Sequence, residues 1–195
     1  MSGVPEGLKD TEFATSHGKV KLPEILSYDE IDRFLLAIED LEDLIAARLM
    51  LFGGLRVDEA ASLEVKHVCP ERVAVFIEEG KSGDGWSPVD IATVTMALCR
   101  ASDRHLEPGD QLYPWSKRTL QDRVSKAYAK AEIPWGPTCH TLRHTCATWQ
   151  LDQGIPLETV KNNLRHADIS TTQIYLHLNI RQRSRTYRDA SRFGT

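Results

Sequence analysis

The 195-residue sequence contains no uninterrupted apolar run near the roughly 18 residues that a membrane-crossing helix needs, so no membrane partner is expected. The opening stretch, MSGVPEGLKD, lacks the apolar segment of a secretory signal, and a cytoplasmic location is the corresponding expectation. Cysteine is sparse and unpatterned. Cys69, Cys99, Cys139 and Cys146 include no C-x-x-C pair, which argues against a zinc site and a disulfide framework. Reduced, mostly buried thiols are expected instead, with neither metal nor other cofactor. Internal repeats and low-complexity segments are absent. Positive charge is in deficit overall: 24 Lys and Arg stand against 28 Asp and Glu, for a net charge of −4. Taken alone, that balance argues against a nucleic-acid binder.

The charge is unevenly spread, however. Residues 1–98 carry 9 basic and 19 acidic side chains, and residues 99–195 carry 15 and 9. A polyanion would approach the C-terminal half, although chance asymmetry explains the counts as well. The length and the 41% hydrophobic content suit one domain with a real core.

Residues 1–26 show no periodicity and read as a tail or linker. Ser27 and Glu30 form a capping box ahead of an apolar stripe of Ile31, Phe34, Leu35 and Ile38, which marks a helix. A second helix is expected from about Leu41 to Leu51, stopped by Gly53-Gly54, and a short one over 57–63. RVAVFIEE, then GKSGDG, then WSPVDI reads as strand, turn and strand, a β-hairpin with Lys81 at its tip. Helices follow over about 92–102, over 117–131 capped by Ser116, and from about His140 to Gln153 with Gly154 as the stop. Pro156 suits the first turn of a helix running to about Arg165. Ser170 and Gln173 make another capping box, placing Tyr175 in the first turns of a last helix. The sum is an α+β fold, mainly α-helical with a small antiparallel β-sheet.

His140 and Arg143 are three apart near a helix start and share a face. Arg56 ends the GGLR turn. His166 lies just past a helix end, and Tyr175 follows nine residues later across a capped break. Two arginines, a lysine, two histidines and a tyrosine would suit an anion. Arg matches two phosphate oxygens with a planar fork, Lys on a flexible stem can protonate a leaving oxygen, and Tyr can form a covalent ester. Phosphoryl transfer rests mainly on positioning and charge neutralisation, which these residue types supply without a metal.

The same residues carry a resemblance. GLRVDE is similar to the G-L-R-x-x-E box of the tyrosine recombinases, EGKSG to their hairpin lysine, HTLRH to their H-x-L-R-H box, and LRHADISTTQIYLH to their L-G-H-x-x-x-x-T-T-x-x-Y-x-H signature. Four boxes in order cover about residues 22–180. The resemblance implies a tail or linker over 1–26, a catalytic domain with the tyrosine recombinase fold over 27–180, and an Arg-rich C-terminal tail over 181–195. It implies site-specific cleavage and rejoining of double-stranded DNA at a target site, by a homo-tetramer on DNA that is monomeric when free. The protein would then be associated with the nucleoid.

By position, Arg56 and Arg143 would clamp the scissile phosphate and His166 would add a third contact. Tyr175 would attack phosphorus to leave a 3′-phosphotyrosine, Lys81 would protonate the departing 5′ oxygen, and His140 would assist proton transfer at the tyrosine. Glu59 would be a supporting acid, more structural than chemical. Lys117 and Arg118 are candidate DNA contacts. Arg165 stands where the family usually has Gly, so either the turn differs or Arg165 reaches phosphate. Family members also carry an N-terminal DNA-clamping domain of roughly 80–100 residues. The expectation here is either a fragment or a minimal form with a weak grip on DNA.

Blander readings stand beside this one. His140 and His144 are four apart as in a zinc protease, but the Glu of H-E-x-x-H is missing. His144 then packs or hydrogen-bonds, and His177 is a supporting or structural residue. Tyr28, Tyr113, Tyr128 and Tyr187 default to core or surface. GLRVDEAASLEVKHV and GIPLETVKNNLRHADISTTQIY each look like a helix-turn-helix, which would make the protein a non-enzymatic DNA-binding regulator. That leaves Lys81 and the Tyr175 spacing unexplained. A strand transferase like the type IB topoisomerases would keep the chemistry and change the task. The Arg-rich tail is either a solvated face or a segment that packs on a neighbouring protomer.

Overall fold

The structure is a computed structural model that describes residues 12–15, 18–21, 24–78 and 83–165. Lys81, His166, Tyr175, His177 and the tail over 181–195 lie outside the described residues. Within the segment expected as a linker, β1 (Glu12–Thr15) and β2 (Gly18–Lys21) form an antiparallel hairpin, with Glu12 opposite Lys21 and Thr15 opposite Gly18. Its two four-residue strands are too short to show an alternating pattern in the sequence.

The helices begin where side chains satisfy their first backbone N–H groups. Ser27 Oγ accepts from the Glu30 N–H at 3.3 Å, and the Glu30 carboxylate accepts from the Ser27 N–H at 2.8 Å. This is the expected capping box, and it starts α1 (Tyr28–Leu36). Asp40 caps α2 (Leu41–Phe52) through the N–H groups of Glu42 and Asp43. Ile45, Ala46, Ala47, Leu49, Met50 and Leu51 are all buried, so α2 is apolar around most of its circumference and runs through the core. α3 (Val57–Ala61) follows the Gly53-Gly54 turn.

After α3 the chain makes a 3-10 turn at Val65–His67 and enters β3 (Val68–Cys69). No second helix follows, so this stretch is not a helix-turn-helix. β3, β4 (Ala74–Ile77) and β5 (Gly85–Pro88) form a three-stranded antiparallel sheet in that order, with Val68 opposite Val75 and Val75 opposite Ser87. β4 and β5 are the expected hairpin. The two-residue β3 carries too little pattern to be read beforehand. α4 (Ile91–Asp103), α5 (Lys117–Lys130), α6 (Cys139–Asp152) and α7 (Leu157–Asn163) lie within about three residues of their expected ends. Ser116 caps α5 as expected, Gly154 ends α6 with φ +82°, and Pro156 sits one position before the first turn of α7.

α2 packs against α4, α5 and α6, and α7 packs against α6 and β5. The sheet is fastened to this helical body through a fully buried hydroxyl. Ser87 Oγ on β5 donates to the Gly53 carbonyl at 2.6 Å and lies 3.2 Å from the Asn163 carbonyl. The end of α2, β5 and the end of α7 therefore meet at one place. Gly54 is required there. It has φ +64°, and a Cβ on it would come within 2.2 Å of Leu164 Cδ2. All four thiols are free. Cys139 and Cys146 are buried, but Cys69 is half-buried and Cys99 exposed, so only two of the four match the expectation of burial.

Candidate active site

The three-residue spacing of Arg56 and Glu59 is a helix-start geometry. Arg56 is the N-cap of α3, and Glu59 reaches back from the third helical position to accept the Arg56 N–H at 2.7 Å. Its other oxygen accepts from Arg56 Nη1 at 2.9 Å. The Glu59 side chain is 5% exposed, so a carboxylate is held inside the fold by the residue that begins its own helix.

Arg143 arrives from the second turn of α6. One of its terminal nitrogens donates to the Gly54 carbonyl and the other to the Leu164 carbonyl. It thus ties the GGLR turn to the end of α7, and it lies 3.8 Å from Glu59. Arg165, just past α7, turns back into the same place. Its φ is +50°, the left-handed region, and its Nη2 donates to Glu59 at 2.7 Å. Arg56, Arg143 and Arg165 therefore surround one carboxylate. Among the described residues, three guanidinium groups thus converge on one buried carboxylate.

The electrostatics follow from that count. Burial disfavours the charged form of Glu59, yet Arg165, the Arg56 N–H, Arg143 and the Arg56 side chain outweigh it and hold the carboxyl below its usual range. Burial lowers Arg143 to about 10, helped by repulsion from Arg56 and Arg165 and opposed by Glu59. Arg165 is lowered for the same reasons: burial first, with Glu59 opposing and Arg56 adding to it. A second anion entering here would relieve repulsion among the cations.

The histidines of α6 differ from each other. His140 is exposed, in the first turn of the helix that carries Arg143. His144, one turn further on, is half-buried, and burial, His140 and Arg143 together lower it to about 4. It is therefore a neutral imidazole near pH 7. Among the described residues no three His, Cys, Asp or Glu side chains gather as metal ligands would. Lys117 starts α5 and pairs with Asp58 at 2.9 Å, beside Glu59 in α3. Arg118 is 84% exposed and reaches Asp122 at 3.4 Å. Of the expected site residues, the structure brings Arg56, Glu59, Arg143 and Arg165 together. Lys81, His166 and Tyr175 lie outside the described residues. Sequence reasoning missed the Gly54 and Leu164 carbonyls that hold Arg143, because a backbone acceptor leaves no mark on residue type.

This geometry can be set beside known proteins. The profile of the phage integrase family matches residues 24–182. The tyrosine recombinase XerA of Pyrococcus horikoshii is 29% identical over 181 residues, covering 87% of this chain and 63% of its own length. XerA of Saccharolobus solfataricus is 34% identical over 162 residues, covering 82% of this chain and 55% of its own. The chain thus spans less than two thirds of the length of either relative. A crystal structure of XerA recombinase superposes with a TM-score of 0.76 at 26% identity, over 86% of this chain and 66% of that one. XerH site-specific recombinase bound to difH substrate shares the fold, with a TM-score of 0.68 at 24% identity over 80% of this chain and 50% of that one. Among the described residues no helix is long and apolar enough to cross a membrane. The mainly helical fold with its small antiparallel sheet is that of a tyrosine recombinase catalytic domain, and the chain belongs to the phage integrase family.

Proposed function

We propose that this chain is the catalytic domain of a site-specific DNA recombinase that cleaves and rejoins strands through Tyr175. The observation that carries the reading is the convergence of the Arg56, Arg143 and Arg165 guanidinium groups on the buried Glu59. Such a cluster offers the charge-assisted donors that suit a phosphodiester. The family membership and the DNA-bound XerH relative support the same substrate.

In this reading Arg56 and Arg143 hold the non-bridging oxygens of the scissile phosphate, with His166 as a further donor. The Tyr175 hydroxyl attacks phosphorus and gives up its proton with assistance from His140. The bond from phosphorus to the 5′ oxygen breaks, and Lys81 protonates the departing oxygen. The products are a 3′-phosphotyrosine and a free 5′-hydroxyl. One phosphoester replaces another, so rejoining by the reverse attack needs no external energy source. Glu59 orients Arg56 and Arg165 and stays ionised. Lys117 and Arg118, both exposed at the start of α5, contact the DNA backbone on the side of α3. Four protomers act on two DNA sites.

The test is a nicked DNA substrate carrying the native site, or a pool of candidate sites, read on a denaturing gel with and without EDTA. A protein–DNA adduct that resists EDTA and disappears in Tyr175→Phe, while that variant still binds DNA, is expected. An undiminished adduct from Tyr175→Phe sinks the assignment.

A further inference from the structure

Arg165 stands where tyrosine recombinases usually have glycine, and the fold accommodates it at some expense. Its backbone is left-handed, φ +50°, a conformation costing an arginine roughly 1–2 kcal/mol that glycine would avoid. Its stem lies over β5, where a Cβ on Gly85 would come within 3.2 Å of Arg165 Cδ. The side chain is 5% exposed. Nη2 is satisfied by Glu59, but Nε and Nη1 are buried with no hydrogen-bond partner among the described residues. Buried donors on a charged group are rarely left unmade, and each one calls for an explanation.

A purely structural role does not supply that explanation. Glu59 is already held by Arg56 at both oxygens and approached by Arg143. Burial and repulsion from Arg56 also disfavour the charge on Arg165. An anion fitted beside Arg165 resolves both problems, since it accepts from the idle donors and offsets that repulsion. We propose that Arg165 is a third arginine of the phosphate site and donates through Nε and Nη1 to an oxyanion held by Arg56 and Arg143. The inference rests on the phosphate-site reading above and adds a ligand contact to it. In the anion-free protein the Arg165–Glu59 pair keeps the guanidinium pointed at the place the oxyanion takes.

The experiment titrates the chain with inorganic phosphate at constant ionic strength, followed by phosphorus NMR, for the unsubstituted protein and for Arg165→Gly, Arg165→Lys, Arg56→Ala and Arg143→Ala. Thermal melts without phosphate establish that each variant is folded. Arg165→Gly relieves the backbone, and Glu59 keeps its contacts to Arg56. The proposal expects its phosphate affinity to fall about tenfold or more, the scale of one charge-assisted hydrogen bond. Arg165→Lys, which keeps the charge, retains more affinity than Arg165→Gly. Equal affinities for the unsubstituted protein and Arg165→Gly, with Arg56→Ala weakened, overturn the Arg165 contact and leave the phosphate site standing. Absence of phosphate binding, or binding that survives both Arg56→Ala and Arg143→Ala, overturns the phosphate site and the Arg165 contact together.

Discussion

Replacing Glu59 by glutamine changes one oxygen to a nitrogen and removes the carboxylate on which three arginines converge. The contact to Arg165 alone, at 2.7 Å, is a gross attraction of about 6 kcal/mol at an effective dielectric of about 20. Desolvation of both partners offsets much of it, and breaking a buried ion pair by removing one member typically costs about 3–5 kcal/mol. The new amide N–H groups face guanidinium donors and can accept nothing from them, which keeps the loss at that level. For a domain of this size the melting temperature should fall by about 6–20 °C. Added inorganic phosphate at matched ionic strength should raise the melting temperature of Glu59→Gln more than that of the unsubstituted protein, because the oxyanion supplies the missing charge. Calorimetry or circular dichroism reads both effects. A Glu59→Gln protein that melts within about 2 °C of the unsubstituted one refutes the electrostatic account. Equal stabilisation of both proteins by phosphate refutes the anion-site part of it.

Further outcomes follow from other parts of the structure. Gly54→Ala should destabilise by about 2–4 kcal/mol, combining left-handed strain with a collision against Leu164, and denaturant unfolding measures it. His144 titrates near 4 when folded and near 6.5 when unfolded, so the unfolded chain takes up its proton first on acidification. Its contribution is complete above pH 6.5 and is lost as pH falls towards 4. After discounting for partial exposure this amounts to about 2 kcal/mol. Unfolding midpoints against pH should therefore flatten in that window for His144→Gln. Binding to duplex DNA should weaken steeply with salt, with a log–log slope of about −0.9 per phosphate neutralised. A flat response between low and moderate ionic strength contradicts the phosphate-contact picture.

What the sequence revealed, and what it hid, divides by the range of the interaction. The Ser27–Glu30 box, the Gly154 stop and the Ser116 cap are local arrangements, and each sits where residue pattern alone puts it. The Arg56–Glu59 pair is also local, since it is the capping geometry of α3. Arg143 and Arg165 reach the same carboxylate from far along the chain; residue type and the motif resemblance linked Arg56 with Arg143 beforehand, but not their meeting at Glu59. Nothing local marks Arg165 as turned towards Glu59, because the two residues lie 106 positions apart and meet only in the fold. β3 and the Glu12–Lys21 hairpin escaped notice for a simpler reason, being too short for periodicity to register. The depressed His144 arises from burial on α6, which single-residue reading cannot weigh.

The central claim is that Tyr175 becomes covalently joined to DNA, and mass spectrometry of the trapped adduct tests it most directly. After nuclease trimming and tryptic digestion, the peptide spanning residues 166–181 should carry a 3′-linked nucleotide on Tyr175. Fragmentation separates that site from Ser170, Thr171 and Thr172 in the same peptide. A nucleotide on Tyr175 is the expected result. A nucleotide on one of those hydroxyls, or on a peptide from elsewhere in the chain, contradicts the assignment of the nucleophile.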